Sequence, residues 1–147
     1  MKPDYVVEND VTRARLHESL AGLADGDLIR RLDNGLTVGA VLVHLAFWDD
    51  YAAALLGQWM ESGFAPARSN FEALNAAVGH LAALVPVDSI PSLAGDAADA
   101  VDLRVESVDP DLAAAVETGG SGRILLRAAH RTLHLDQIAQ ALSSTAD

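Results

Sequence analysis

At 147 residues the chain has the length of one domain able to bury a core of its own without covalent staples. It contains no cysteine, which excludes disulfides, thiolate metal ligands and cysteine nucleophiles and leaves histidine and carboxylate as the strong donors. A formal charge of −11 argues against nucleic acid and anionic membranes as partners, because both select a concentrated basic face.

The start, Met1-Lys2-Pro3-Asp4, lacks the apolar core of a signal peptide. The longest apolar run, Leu36 to Trp48, carries His44 and stops at Asp49-Asp50, too short and too polar for a membrane span. The expectation is a cytoplasmic protein, residues 1–147 forming one domain. Leu16, Leu20 and Leu23 recur at helical spacing and predict a first helix from about Asn9 to Ala24, with His17 partly exposed at its edge.

Asn34-Gly35 signals a turn, and Thr37 then suits the N-cap of a long helix reaching about Met60. Its apolar residues, Val38, Val41, Leu42, Leu45, Trp48, Ala52, Leu55, Leu56 and Trp59, define a broad buried face that His44 shares. An imidazole there needs a hydrogen-bond or metal partner to offset its desolvation. Gly63 to Ser69 reads as a loop, and Phe71, Leu74, Val78, Leu81 and Val85 predict a third helix with Asn75 on its buried side and His80 in solvent.

Residues 87–107 carry conflicting signals. Val101, Leu103 and Val105 alternate as in a strand, whereas Ile90, Ala94, Ala97, Val101 and Val105 fit a helix; no second clear strand exists to pair with, so helix is expected. Pro110 and Asp111 open a short helical turn to Val116. Gly119 to Gly122 breaks the chain, and a last helix follows from about Gly122 to Ser143, with Ser121 as N-cap.

On that last helix His130 and His134 are four residues apart, so their rings face one way with about 6 Å of rise between them. Helix bundles build metal sites from facing helices, and His44 is placed to add a third ring. Three neutral imidazoles leave open positions on a divalent ion, the pattern of a reactive centre. Arg123 and Arg127 precede His130 on the same predicted helix, where cations oppose the helix dipole; each is a candidate anchor for a substrate carboxylate or the partner of one of the many acidic side chains. Gln137, one turn beyond, can orient a ligand or simply mark a polar bundle end. Asp49, Asp50 and Asp136 point away from the histidines and are not expected as ligands.

The stretch Leu36-Thr37-Val38-Gly39-Ala40-Val41-Leu42-Val43-His44-Leu45-Ala46-Phe47-Trp48-Asp49, taken with His130-Arg131-Thr132-Leu133-His134-Leu135-Asp136-Gln137-Ile138, resembles the DinB/YfiT-like superfamily, which includes the mycothiol-dependent maleylpyruvate isomerase N-terminal domains. Leu36 departs from the pattern, standing where relatives often carry Trp. The resemblance spans nearly the whole chain. It implies an all-α, DinB-like four-helix bundle in up-down-down-up order with additional short helices, a divalent metal (zinc or nickel foremost) on His44, His130 and His134, and in many members a homodimer. It also implies a reaction on a low-molecular-weight thiol or a small electrophile, of S-transferase, isomerase or hydrolase type. Two other readings stay open: a non-catalytic metal-binding bundle with a structural or stress-related role, and hydrogen-bonded core histidines without an ion.

Overall fold

The computed structural model describes residues 1–144. These residues form seven α-helices: α1 (Asp4–Ala21), α2 (Asp25–Leu28), α3 (Val38–Ser62), α4 (Phe71–Ala82), α5 (Ile90–Glu106), α6 (Pro110–Thr118) and α7 (Ala128–Ser143). Short 3-10 turns at Val87–Ser89 and Gly122–Ile124 lead into α5 and towards α7. Among the described residues there is no strand, only an isolated bridge between Arg31 and Thr37. The helical choice for residues 87–107 therefore holds.

Local chemistry sets the boundaries. Gly35 adopts φ 86°, a left-handed conformation open to glycine, and the turn it closes brings Thr37 to the start of α3. There the Thr37 hydroxyl accepts from the Ala40 amide at 3.0 Å, the predicted cap. Asn70 and Asp109 cap α4 and α6 in the same way. The first helix begins at Asp4 rather than Asn9, because Pro3 can precede a helical turn and Val6 is drawn into the core.

Four long helices pack in a cycle: α1 on α5, α5 on α3, α3 on α7 and α7 on α1. In α3, Val38, Val41, Leu42, Leu45, Ala52, Leu56 and Trp59 are buried as the periodicity requires, while Trp48 and Leu55 remain half-exposed. Each fully buried Val or Leu contributes about 1.5–3 kcal/mol, so packing, more than propensity, fixes this helix. By length and composition α3 would qualify as a membrane span, but 56% of its most apolar window is covered within the protein, which accounts for its character.

The core has two apolar parts. One contains Leu16, Leu42, Leu45, Leu135 and Ile138; the other contains Val6, Leu56, Val101, Val105, Val116 and Leu125. A buried polar set takes a member from each long helix: Asn9 on α1, Asp49 on α3, Asp102 on α5 and Arg131 on α7.

Two expectations need correction. On α4, Phe71 and Leu81 are exposed and only Val78 and Ala82 are buried, because this helix packs mainly on α3, which leaves its other flank to solvent. The last helix starts at Ala128, not Gly122, and Ser121 makes no capping hydrogen bond. Its N-terminus is instead capped from α1: Asn9 Oδ1 accepts from the Arg127 and Ala128 amides at 2.8 and 2.9 Å, while Asn9 Nδ2 donates to the Leu125 carbonyl at 2.8 Å.

Candidate metal centre

His44 comes from the middle of α3, His130 and His134 from successive turns of α7, and the contact of these two helices brings the three rings together. His130 Nε2 lies 3.1 Å from His44 Nε2 and 3.2 Å from His134 Nε2. Two nitrogens each about 2.0–2.1 Å from one ion are separated by about 3.0 Å at a right angle and about 3.4 Å at the tetrahedral angle. These two spacings fall in that window, and the ligand atoms of all three rings lie within 4.8 Å of one another.

Proton placement leads to the same fit. His134 Nδ1 is 2.8 Å from Gln137 Oε1, which can only accept, so the neutral His134 ring carries its proton on Nδ1 and offers a lone pair at Nε2. His130 Nε2 faces two ring nitrogens but can hold one proton, and a hydrogen bond to one neighbour leaves its contact with the other unmatched. His130 Nδ1 is buried without a partner among the described residues. A cation facing three Nε2 lone pairs resolves the first conflict, and the donor set, three imidazoles without a carboxylate, suits a divalent transition ion.

Burial keeps these rings neutral. It lowers the pKa of His130 to about 3 and of His44 to about 4, the neighbouring histidine charges adding to the effect, and burial also lowers that of His134 against the opposing hydrogen bond to Gln137. Neutral imidazole is the form that ligates.

On the adjacent face of α7, Arg131 is completely buried. Its guanidinium donates to both oxygens of Asp102 at 2.7 and 2.9 Å, reaches Asp49 Oδ2 at 3.3 and 3.4 Å, and meets the Asn9 and Ala98 carbonyls. Burial works against its charge, but the hydrogen bonds and charges of Asp102 and Asp49 outweigh that and raise its pKa. Arg127 Nε donates to Asp49 Oδ1 at 2.9 Å and its Nη1 to the Arg123 carbonyl at 2.8 Å. These bonds fix the height and rotation of α7, and with them the direction in which His130 and His134 point.

The other candidate residues separate. Arg127 is paired with Asp49, the acidic partnership rather than a free anchor. Arg123 lies in the 3-10 turn Gly122–Ile124, ahead of α7, so it is not on the helix of His130; it is exposed and lines a cavity that also includes His44, His130, Trp48, Tyr51 and Phe71. Gln137 engages His134 itself and is not part of that cavity's wall. Asn75, expected on a buried side, is exposed and accepts from the Trp48 indole at 2.8 Å, still within the cavity lining. Asp49 turns from the histidines to the arginines, Asp136 pairs with Arg15, and exposed His17 with Asp99. His80 is exposed.

Sequence reasoning missed Arg131, Asp102 and Asn9. The one available signal was a run of apolar α3 residues interrupted by Asp49 one turn after Leu45, which required a buried cation. Comparison of the chain with protein-family models, curated proteins and solved structures finds no match.

Proposed function

We propose that the chain is a divalent-metal-dependent enzyme of the DinB/YfiT-like superfamily, with the up-down-down-up bundle of that group, acting in the cytoplasm on a low-molecular-weight thiol, a small electrophile, or both. The observation that carries this reading is the convergence of three Nε2 atoms beside a cavity. A structural metal site is closed by its ligands, whereas His44 and His130 here border a space large enough for a substrate. When bound, a divalent ion such as zinc or nickel supplies Lewis acidity that lowers the pKa of a nearby thiol or water.

The chain's own groups do the rest. His44, His130 and His134 hold the ion as neutral donors, so its charge is not cancelled by the protein. Gln137 fixes the tautomer and rotation of His134. The Asn9, Asp49, Asp102 and Arg131 set holds α7 in register with α3, and the half-exposed rings of Trp48 and Tyr51 limit water at the cavity wall. The test is turnover: zinc- or nickel-loaded protein is mixed with a panel of low-molecular-weight thiols and small electrophiles, and S-conjugate or isomer formation is followed by mass spectrometry. Metal-dependent acceleration that is lost in His130→Ala is expected. Loaded protein that neither binds thiols nor accelerates any such reaction refutes the enzymatic reading and leaves the non-catalytic metal bundle.

A further inference from the structure

This inference rests on the metal-site reading above and names the ligand class of the same site. The cavity bordered by His44 and His130 has a volume of about 890 Å³, within the range of pockets that enclose a small organic molecule. The chain has 21 acidic residues against ten basic ones. Even so, among the described residues no carboxylate lines this cavity, and two arginines do. A wall with that charge, in so acidic a protein, disfavours cations and favours an anion.

The two arginines are not equivalent. Arg127 is buried, with its Nε on Asp49 and its Nη1 on the Arg123 carbonyl, so its charge is balanced inside the protein. Arg123 is exposed, its main chain is held by that bond from Arg127, and its guanidinium has no hydrogen bond or ion pair among the described residues. Its planar fork matches a carboxylate.

The same lining contains Trp48, Tyr51 and Phe71, packed on one another with ring centroids 5.3 Å (Trp48 to Tyr51) and 5.4 Å (Trp48 to Phe71) apart. The polar ends of the first two are already engaged: the Trp48 indole donates to Asn75, and the Tyr51 hydroxyl shares a 2.6 Å hydrogen bond with Ser69. What these side chains have left to offer a ligand is apolar ring surface, which favours flat or aromatic bodies.

We infer that the cavity takes a small carboxylate with an aromatic or flat apolar body, its carboxylate on Arg123 and its body on the Trp48, Tyr51 and Phe71 wall, beside the histidine cluster. Arg123 is a substrate-binding residue in this assignment, and the aromatic wall sets the shape preference.

The experiment is calorimetric titration of the full chain with 3-phenylpropanoate, its neutral amide 3-phenylpropanamide, and propanoate, after dialysis against chelator and again after zinc loading. The phenyl acid is expected to bind at least about tenfold tighter than either comparison ligand. Arg123→Gln, at an exposed side chain that makes no bond, is expected to keep the wild-type circular dichroism and the binding of the amide while losing the preference for the acid; Arg123→Lys keeps part of it. Absence of saturable binding by the phenyl acid, equal binding of acid and amide, equal binding of phenyl acid and propanoate, or a preference unchanged in Arg123→Gln overturns the inference; in the last case the ion or another group holds the carboxylate. Metal content measured on the same samples separates the two claims. A chain that takes up no ion yet shows the Arg123-dependent preference refutes the metal reading alone, and a chain that binds its ion without the preference refutes this one alone.

Discussion

Replacing Arg131 with Met removes the one fully buried cation among the described residues while keeping an unbranched side chain. Asp102 would lose its two shortest hydrogen bonds, at 2.7 and 2.9 Å, and retain only Arg13, whose Nε is 3.2 Å away and whose side chain is 32% exposed. Asp49 would lose its contacts with Arg131 and keep Arg127. Leaving a buried charge without its partner costs about 3–5 kcal/mol. Arg127 and Arg13 compensate in part, so the lower end, about 3 kcal/mol, is the expected loss. Set against a typical domain stability of about 5–15 kcal/mol, that is a large fraction. In urea, with an m-value of about 1–3 kcal/mol/M, the midpoint should fall by about 1–3 M. Arg131→Lys should lie between wild type and Met, since an ammonium keeps the charge but cannot fork across two carboxylates. Urea unfolding followed by far-ultraviolet circular dichroism measures all three proteins. A loss below about 1 kcal/mol in Arg131→Met, with an unchanged m-value, would refute the view that this residue ties α7 to α3 and α5.

Asn9→Ala should destabilise the protein by about 1–3 kcal/mol in the same assay, since it orphans the first amides of α7 and the Leu125 carbonyl; a change within 0.5 kcal/mol, roughly the scatter of neutral surface substitutions, contradicts the remote cap. Gln137→Leu removes the acceptor that orients His134 and should weaken metal affinity about 10–100-fold by competition with a chromophoric chelator; wild-type affinity would show that His134 needs no such support. In metal-free protein the histidines favour the folded state only while neutral. Their folded pKa values, about 3 for His130 and about 4 for His44, lie below the ordinary value of 6.5, so unfolding takes up protons; stability is full above about pH 6.5 and falls as pH drops towards 4. The slope is at most about 1.4 kcal/mol per pH unit for each ring, and less in practice because both rings are partly exposed. Urea midpoints at pH 7.5 and 5 that coincide, or that differ as much in a protein with all three histidines changed to Gln, would sink this account.

What the sequence makes legible follows from helix periodicity. His44 shares the apolar face of α3, His130 and His134 repeat at four, and those facts suffice to predict a meeting of the three rings once α3 and α7 are neighbours. Thr37 as a cap and residues 87–107 as helix follow from equally local rules. Long-range polar pairing is not visible in that way. Asn9 caps a helix more than a hundred residues away, and nothing in its own neighbourhood marks it as a capping residue. Arg131 sits between two histidines and reads as a surface charge until Asp49 and Asp102 are placed around it. The same remote cap moves the start of α7 to Ala128, which separates Arg123 from the helix of His130, where the sequence places both on one continuous helix. On α4 the apolar spacing is real, but periodicity reports a face and not whether a neighbour covers it, and Phe71 and Leu81 remain exposed.

The central claim is that His44, His130 and His134 hold one divalent ion. Purified protein, loaded with zinc or nickel and passed through a desalting column, should carry one ion per chain by inductively coupled plasma mass spectrometry and release it as pH falls through about 4 to about 3, where the buried rings take up protons. His44→Ala, His130→Ala and His134→Ala should each abolish stoichiometric retention while remaining helical by circular dichroism. Retention of a full equivalent by these variants, or by the wild-type protein well below pH 3, would contradict a site built from three imidazoles.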